Sequence, residues 1–256
     1  MDADRLVRVL RGMLDPKLRV PWLRSELSQL SGSEAALLLD SVMARSELGE
    51  PNPRQAAISI VMLIAGSDEP EILDELREQA RKLKLLSLDR LVRRDPNETE
   101  PVLGHLDLPV PDYGRDRELT LGERRSLARI PNRRSFPALL RDPHPMVTEL
   151  LLNNPKTIEE DIMRLVTARP ARPDTIRSVA GNFRWLTRER IRMSIILNPG
   201  SPACIAVPLV SLCNRADLKY ILKSTHISAT IETVARELVA RRPPIPNVDG
   251  ADSPTQ

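Results

Sequence analysis

Aromatic residues are scarce in this chain, which has two Phe, two Trp and two Tyr among its 256 residues. Because 41% of the residues are nevertheless hydrophobic, the core must be built from Leu, Ile, Val, Ala and Met. Strands favour aromatic and β-branched residues, and tight hairpins need glycine, of which the chain has only 10. Proline, which ends helices, is plentiful at 23. The composition therefore predicts an all-α fold of many short helices.

The chain also lacks long apolar runs and has few cysteines. No stretch approaches the roughly 18 apolar residues that indicate a transmembrane helix, so we expect no membrane insertion. Cys204 and Cys213 lie in or beside one apolar segment, and we expect two small buried residues rather than a disulfide. These features predict a cytosolic location.

Motifs of catalytic and cofactor sites are missing from the sequence. It contains no glycine-rich nucleotide motif, no HExxH, no CxxC and no GxSxG. His105, His144 and His226 are far apart, and we expect turn residues rather than metal ligands. The acidic run 159–161 is expected in the first turn of a helix, where it interacts favourably with the helix dipole. We expect no cofactor, no metal and no catalysis, while a pocket with converging polar groups would support an enzyme.

The first part of the chain has the apolar spacing of short helices. This spacing predicts helices near 2–13, 17–30, 33–48, 53–65, 69–81 and 83–93. Ser31 stands three residues before Glu34, which predicts a capping box at a helix start.

Residues 94–119 interrupt this pattern. Four prolines in this stretch, at 96, 101, 109 and 111, exclude a continuous helix and predict a partly extended connector. We therefore divide the chain into an N-terminal helical region at 1–93, a Pro-rich connector at 94–119, helical repeats at 120–241 and a disordered tail at 242–256.

An apolar run followed by Asn-Pro occurs twice in the second half, in TELLLNNPKTIEED at 148–161 and in MSIILNPGSPACIA at 193–206. Four segments align as the end of one helix, a short break and the start of another: 127–142, 151–166, 196–211 and 222–239. A further break falls at Gly181-Asn182. The unit is therefore helix, break, helix.

The composition of the breaks predicts how these helices end and begin. Asn154 and Asn198, each before a proline, are expected to end helices because Asn tolerates left-handed or extended backbone. Helix starts are expected at Thr120 with Glu123, at Thr157 with Glu160 and at Ser201 with Pro202.

Such a unit cannot bury its apolar stripe alone, so we expect neighbouring units to stack. Residues 120–241 resemble the leucine-rich repeat variant and HEAT-like α-solenoids of bacterial proteins, and Pro131, Asn154-Pro155 and Asn198-Pro199 carry the resemblance. The phrases LTLGERRSLAR and LLRDPHPMV resemble helical proteins of high-GC, myxobacteria-like bacteria. The resemblance implies a short right-handed α-solenoid of irregular helix pairs. The iron–sulfur cluster of some leucine-rich variant proteins is not expected, because this chain has no cysteine before Cys204.

Charge is unevenly distributed along the chain. Residues 1–114 carry 15 basic and 20 acidic side chains, whereas residues 115–256 carry 23 basic and 15 acidic ones. Arginine outnumbers lysine 32 to 6, which we attribute to a GC-rich genome more than to guanidinium chemistry. The stretch 164–192 is the most basic, and it encloses Phe183 and Trp185.

These observations predict a non-catalytic cytosolic scaffold or adaptor that binds a protein partner through an elongated helical-repeat surface. The residues expected to contact the partner are Arg177, Arg184, Trp185, Arg188 and Arg192, with Arg133 and Arg134 beside them if the repeats stack with one hand. The alternative is a nucleic-acid-binding solenoid, because guanidinium groups beside aromatic rings suit phosphate contacts and base stacking. The sequence leaves the partner's identity and the oligomeric state open.

Overall fold

The structure of the protein is a computed structural model that describes residues 1–66, 70–96, 109–169 and 171–243. Every regular element in these ranges is a helix, which confirms the all-α prediction. The α-helices are Ala3–Gly12 (α1), Arg19–Leu27 (α2), Gly32–Glu47 (α3), Pro51–Ala65 (α4), Pro70–Leu83 (α5), Leu86–Val92 (α6), Leu121–Arg129 (α7), Phe136–Leu139 (α8), Pro145–Leu152 (α9), Glu159–Val166 (α10), Pro173–Ala180 (α11), Phe183–Leu186 (α12), Glu189–Ile196 (α13), Ala203–Val210 (α14), Arg215–Ile221 (α15) and Ala229–Arg241 (α16). Two short 3-10 helices occupy Pro16–Leu18 and Arg133–Ser135. No helix in the described residues has the length and apolar character needed to cross a membrane.

The first six α-helices confirm the helical spacing of the first half, and each lies within three residues of its predicted bounds. The capping box at the start of α3 is also confirmed. The Ser31 hydroxyl accepts from the Glu34 amide at 3.3 Å, and the Glu34 carboxylate accepts from the Ser31 amide at 2.9 Å. Helix α4 packs against α1, α2 and α3, while α6 packs against α3 and α5.

Helix α14 connects the two halves of the molecule. All of its residues from Ile205 to Val210 are buried. The helix packs against α4 and α6 of the first half and against α13 and α16 of the second. A helix that is apolar on every side needs such complete burial. The described residues of both halves therefore share one main core, and a smaller cluster around Phe136 and Val147 lies among α7, α8 and α9.

Three of the four aligned segments contain a helix end, a break and a helix start, as predicted, whereas in the fourth α15 ends at Ile221, one residue before the segment begins. The breaks separate α7 from α8, α9 from α10, α13 from α14 and α15 from α16. The expected break at Gly181-Asn182 separates α11 from α12.

The predicted helix starts are only partly correct. Thr120 and Glu123 form the expected capping box at α7. Thr157 does not start α10, because its hydroxyl donates to the carbonyl of Leu151 at 2.6 Å, at the end of the preceding helix. Instead, the Asp161 carboxylate accepts from the Ile158 amide at 3.0 Å.

Ser201 does not cap α14 either. The helix begins at Ala203, with Pro202 as the residue before it. The buried Ser201 hydroxyl has no hydrogen-bond partner among the described residues.

The predicted connector and tail are described in part. Residues 94–96 and 109–120 contain no helix. Residues 97–108, with His105, lie outside the described residues, as do residues 244–256. Arg242, the first residue of the predicted disordered tail, is instead buried, because its guanidinium donates to the carbonyls of Ser46 and Ser211.

A buried carboxylate ties the end of α16 to the first half. Glu47, fully buried on α3, accepts from Arg90 Nε at 2.8 Å and Nη2 at 2.7 Å. It also accepts from Ser87 Oγ at 2.9 Å and from Arg241 Nε at 2.6 Å. Burial opposes the charge of Arg90, but the hydrogen bonds and charge of Glu47 outweigh it and raise the arginine's pKa. One carboxylate therefore holds α3, α6 and α16 together.

Glu47→Ala should lower the free energy of unfolding by about 3–5 kcal/mol, because it leaves the buried guanidinium of Arg90 without its main partner. Urea denaturation followed by circular dichroism measures the change. The control is Glu50→Ala, which removes a partly exposed pair with Arg45 and should cost at most about 1 kcal/mol. Equal losses in the two variants would contradict the role given to Glu47.

Candidate protein-binding surface

The break at residues 153–158 is held by side chains from neighbouring helix ends. Asn154 is 2% exposed, and its Nδ2 donates to the carbonyls of Ala128 at 2.7 Å and Ile130 at 3.0 Å, at the end of α7. Its Oδ1 accepts from the Lys156 amide at 2.9 Å. One asparagine thus satisfies carbonyls of the previous helix and closes the turn of its own break.

Asn198 makes the same contacts at the second Asn-Pro. Its Nδ2 donates to the carbonyl of Val166 at 2.7 Å, at the end of α10, and its Oδ1 accepts from the Gly200 amide at 3.1 Å. Neither asparagine has a positive φ. The repeated asparagine therefore links successive helix ends, which is more than the helix stop expected from the sequence.

Replacing Asn154 with alanine should destabilise the protein by about 1–3 kcal/mol, because the buried carbonyl of Ala128 would lose its donor and that of Ile130 would keep only the Asn132 amide. Thermal and urea unfolding measure the loss. Its neighbour Asn153 provides the matched control, since it is exposed and donates only to the carbonyl of Glu149 in its own helix. We expect Asn153→Ala to cost well under half as much, and an equal cost would argue against the link.

Two arginines approach the same break from different helix ends. Arg133 donates to the Lys156 carbonyl at 3.0 Å and to the Asp161 carboxylate. Arg184 donates to the carbonyls of Asn154 at 3.2 Å and Thr157 at 2.9 Å. Guanidinium groups suit this task because they carry five donors and no acceptor. Three carbonyls of the break, those of Asn154, Lys156 and Thr157, therefore accept from guanidinium groups that restrain its backbone.

The ring of Trp185, one of the expected contact residues, lies inside the molecule. It is 1% exposed, and its Nε1 donates to the Leu152 carbonyl at 2.8 Å. The guanidinium carbons of Arg184 and Arg188 lie 4.3 and 5.6 Å from the ring centroid. The ring positions these two arginines but presents no surface for a base to stack on, so we leave it out of the contact surface.

The four expected arginines do not have equal exposure. Arg184 and Arg188 are exposed and lie together over Trp185. Arg192 is half-buried and donates to the Leu186 carbonyl at 2.9 Å, and Arg177 is half-buried on α11. Arg184 and Arg188 are therefore available at the surface, whereas Arg192 is used to bind the carbonyl of Leu186.

Sequence reasoning missed other residues that share this surface. Glu159 pairs with Arg188 at 2.9 Å and with Arg190 at 3.4 Å, and it lies in the first turn of α10, as predicted for the acidic run. Ile130 and Ile158 are 51% and 46% exposed. No sequence signal separated these two isoleucines from the core aliphatics, because the helical pattern does not continue through a break.

We call the exposed residues around this break the loop surface. It consists of Ile130, Lys156, Ile158, Arg184, Arg188 and Arg190. Arg184 is held by the carbonyl of Thr157 and by Trp185, and Arg188 and Arg190 are held by Glu159, so these cations are fixed to the residues on either side of Ile158 in the chain.

Polar side chains also line a cavity of about 440 Å³ near the starts of α14 and α16. Its residues include Asp95, Ser201 and His226. The Ser201 hydroxyl makes no hydrogen bond to His226, although an activated nucleophile should lie within hydrogen-bond reach of its base. Asn198, which also lines the cavity, is used in the turn described above. The cavity therefore lacks the geometry of a serine nucleophile.

Other candidate ligand groups have structural contacts. His144 precedes α9, and its Nδ1 accepts from the Met146 amide at 3.2 Å. Cys204 and Cys213 are not joined by a disulfide, as expected, and burial raises the pKa of Cys213 to about 12. Within the described ranges, no group of three or more His, Cys, Asp or Glu side chains is arranged to hold a metal ion.

Two carboxylates, Glu189 at the start of α13 and Asp217 on α15, lie close enough to interact. The charge of Asp217 and its hydrogen bond to Glu189 raise the pKa of Glu189, with a smaller contribution from burial. The folded state therefore holds the proton of Glu189 more tightly than the unfolded chain does. The protein keeps its full stability below the pKa of Glu189 in the unfolded chain and loses part of it as pH rises through the higher folded pKa. At neutral pH the two charges therefore repel one another.

Glu189→Gln should raise the melting temperature at neutral pH, because it removes this repulsion. It should also reduce the loss of stability as pH rises from mildly acidic to neutral. Thermal unfolding across that pH range tests both effects. Glu160→Gln, an exposed change in another helix, should alter neither, and matching behaviour of the two variants would refute the assignment.

No protein-family model, curated protein or solved structure matches this chain.

Proposed function

We propose that the protein is a non-catalytic cytosolic adaptor that binds an acidic segment of a protein partner through the loop surface. The observation that carries this proposal is the exposed Ile158 at a fixed break, with guanidinium groups held beside it. Protein interfaces combine apolar anchors with arginine in this way. A fixed backbone also lowers the entropy cost of association.

The packing of the second half supports the proposed HEAT/LRV-like solenoid in residues 120–241. Helix α9 packs on α7, α11 on α9, and α13 on α10 and α14. Such chain-order packing is typical of stacked repeats. Right-handed stacking belongs to the same proposal, which presents the breaks along one elongated surface.

The geometry favours a protein partner over nucleic acid. Base stacking needs an accessible aromatic face, and the Trp185 ring is buried. Arg184 donates to carbonyls and Arg188 to Glu159, so part of their capacity for phosphate contacts is already used. An exposed isoleucine adds contact area for a protein and little for a phosphate backbone.

Affinity capture from native cells with crosslinking and mass spectrometry tests the proposal. Wild type should capture a partner whose crosslinked segment is acidic. Ile158→Asp, and separately the double variant Arg188→Glu/Arg190→Glu, should reduce that capture at least tenfold, because each removes an anchor or reverses the surface charge. Thermal unfolding confirms that the variants remain folded.

The matched controls for this capture are Leu14→Asp and Arg5→Glu, two exposed residues of the first half. Both should retain the partner, and equal loss in controls and loop-surface variants would contradict the proposal. Labelled duplex and single-stranded DNA at low salt provide the alternative arm. Binding that falls steeply with salt and disappears in the double arginine variant would instead make nucleic acid the ligand.

A further inference from the structure

A groove in the first half has an apolar wall. It is formed by α2 with the residues after it, the start of α3, the end of α4 and the first turns of α5. Its volume of about 580 Å³ lies within the range of about 300–1,000 Å³ that is typical of ligand clefts. Its larger apolar residues include Leu27, Leu30, Leu63, Ile64, Ile72 and Leu76.

Part of this wall remains open to solvent. Ile72 is 44% exposed, and Leu27, Leu30 and Leu63 are half-buried. The buried side chains of Ile64 and Leu76 form the floor. These half-buried and exposed side chains leave apolar surface that a side chain of a bound partner could cover.

An acidic edge runs along the groove on α5. Glu71, Glu75 and Glu78 are spaced four and three residues apart, which places them on one side of the helix. All three are exposed, and none forms an ion pair with another described residue. Their charges are therefore available to a partner.

Glu75 places this charge at the groove itself. It lines the groove, and a Cβ added to Gly32 would lie 2.0 Å from its Oε1. The carboxylate thus lies against the start of α3, where the helix dipole favours negative charge. Arg24 also lines the groove and is the single cation among its lining residues.

We propose that this groove binds an amphipathic helix of a partner protein, with aliphatic anchors on one face and Lys or Arg beside them. Two anchors a helical turn apart would contact Ile72, Leu30 and Leu63, as in other helix-in-groove complexes. The basic flank would pair with Glu71, Glu75 and Glu78, whereas an acidic helix would be repelled. This site goes beyond the proposed function, because it lies in the other half of the chain and selects the opposite charge.

The test uses a fluorescein-labelled Leu/Lys peptide patterned as an amphipathic helix, titrated with the full chain and followed by anisotropy. Wild type should bind this peptide at least tenfold more tightly than a Leu/Glu peptide or a Ser/Lys peptide of the same pattern. Ile72→Asp and Glu75→Lys should each weaken binding about tenfold. Ser28→Trp, which fills the groove from an exposed position, gives the same readout if Ile72→Asp fails to fold.

Matched controls separate the groove from general charge and hydrophobicity. Leu86→Asp changes an apolar residue that is 63% exposed on α6, and Glu160→Lys reverses an exposed charge on α10. Both should bind the peptide within about twofold of wild type. Equal binding of the Leu/Glu peptide, or equal loss in controls and groove variants, would overturn the proposal.

Sedimentation measures whether a second copy occupies the groove. Wild type should show no self-association that Ile72→Asp removes. A dimer that this variant dissociates would assign the groove to a second copy and overturn the partner-helix proposal. The loop-surface variants Ile158→Asp and Arg188→Glu/Arg190→Glu should leave peptide binding unchanged, so this site and the proposed function can fail separately.

Discussion

Backbone carbonyl groups at helix ends need donors, and this requirement governs the architecture. Each helix leaves its last four carbonyls without an intrahelical partner, so a chain of many short helices has many to satisfy. Asn154 and Asn198 donate to carbonyls of earlier helices, and Arg184 and Arg242 each donate to two carbonyls. Guanidinium chemistry therefore has a structural use here, whatever share of the arginine excess reflects base composition.

The same hydrogen bonds explain why the loop surface is a good candidate for binding. Movement of Arg184 away from the break would break its hydrogen bonds to the carbonyls of Asn154 and Thr157 and its cation–π contact with the ring of Trp185. A partner would therefore meet groups that are already ordered, with little further loss of side-chain entropy. Structural and binding roles are combined in one residue, which is why substitution of the more exposed Arg188 and Arg190 is the cleaner probe.

The two proposed surfaces lie on halves of the molecule that pack directly against one another. Helix α14 packs against both halves, and Glu47 links α3 and α6 to Arg241 at the end of α16. The loop surface is basic and the groove is edged by the carboxylates of α5, in keeping with the uneven charge along the sequence. An adaptor built in this way would hold two oppositely charged segments in a constant relative position.

The sequence by itself determined the fold class, the six helices of the first half, the breaks and the capping boxes at Ser31 and Thr120. These features depend on composition, periodicity and contacts within one turn of helix. Only the tertiary structure decided the donors at the breaks, the burial of Trp185, the exposure of Ile158 and the apolar groove beside α5. Thr157 and Ser201 were misjudged because a hydroxyl can serve the helix before it, the helix after it, or neither. That choice depends on which carbonyls and side chains of distant helices come within about 3 Å, a distance set by packing and not by local sequence.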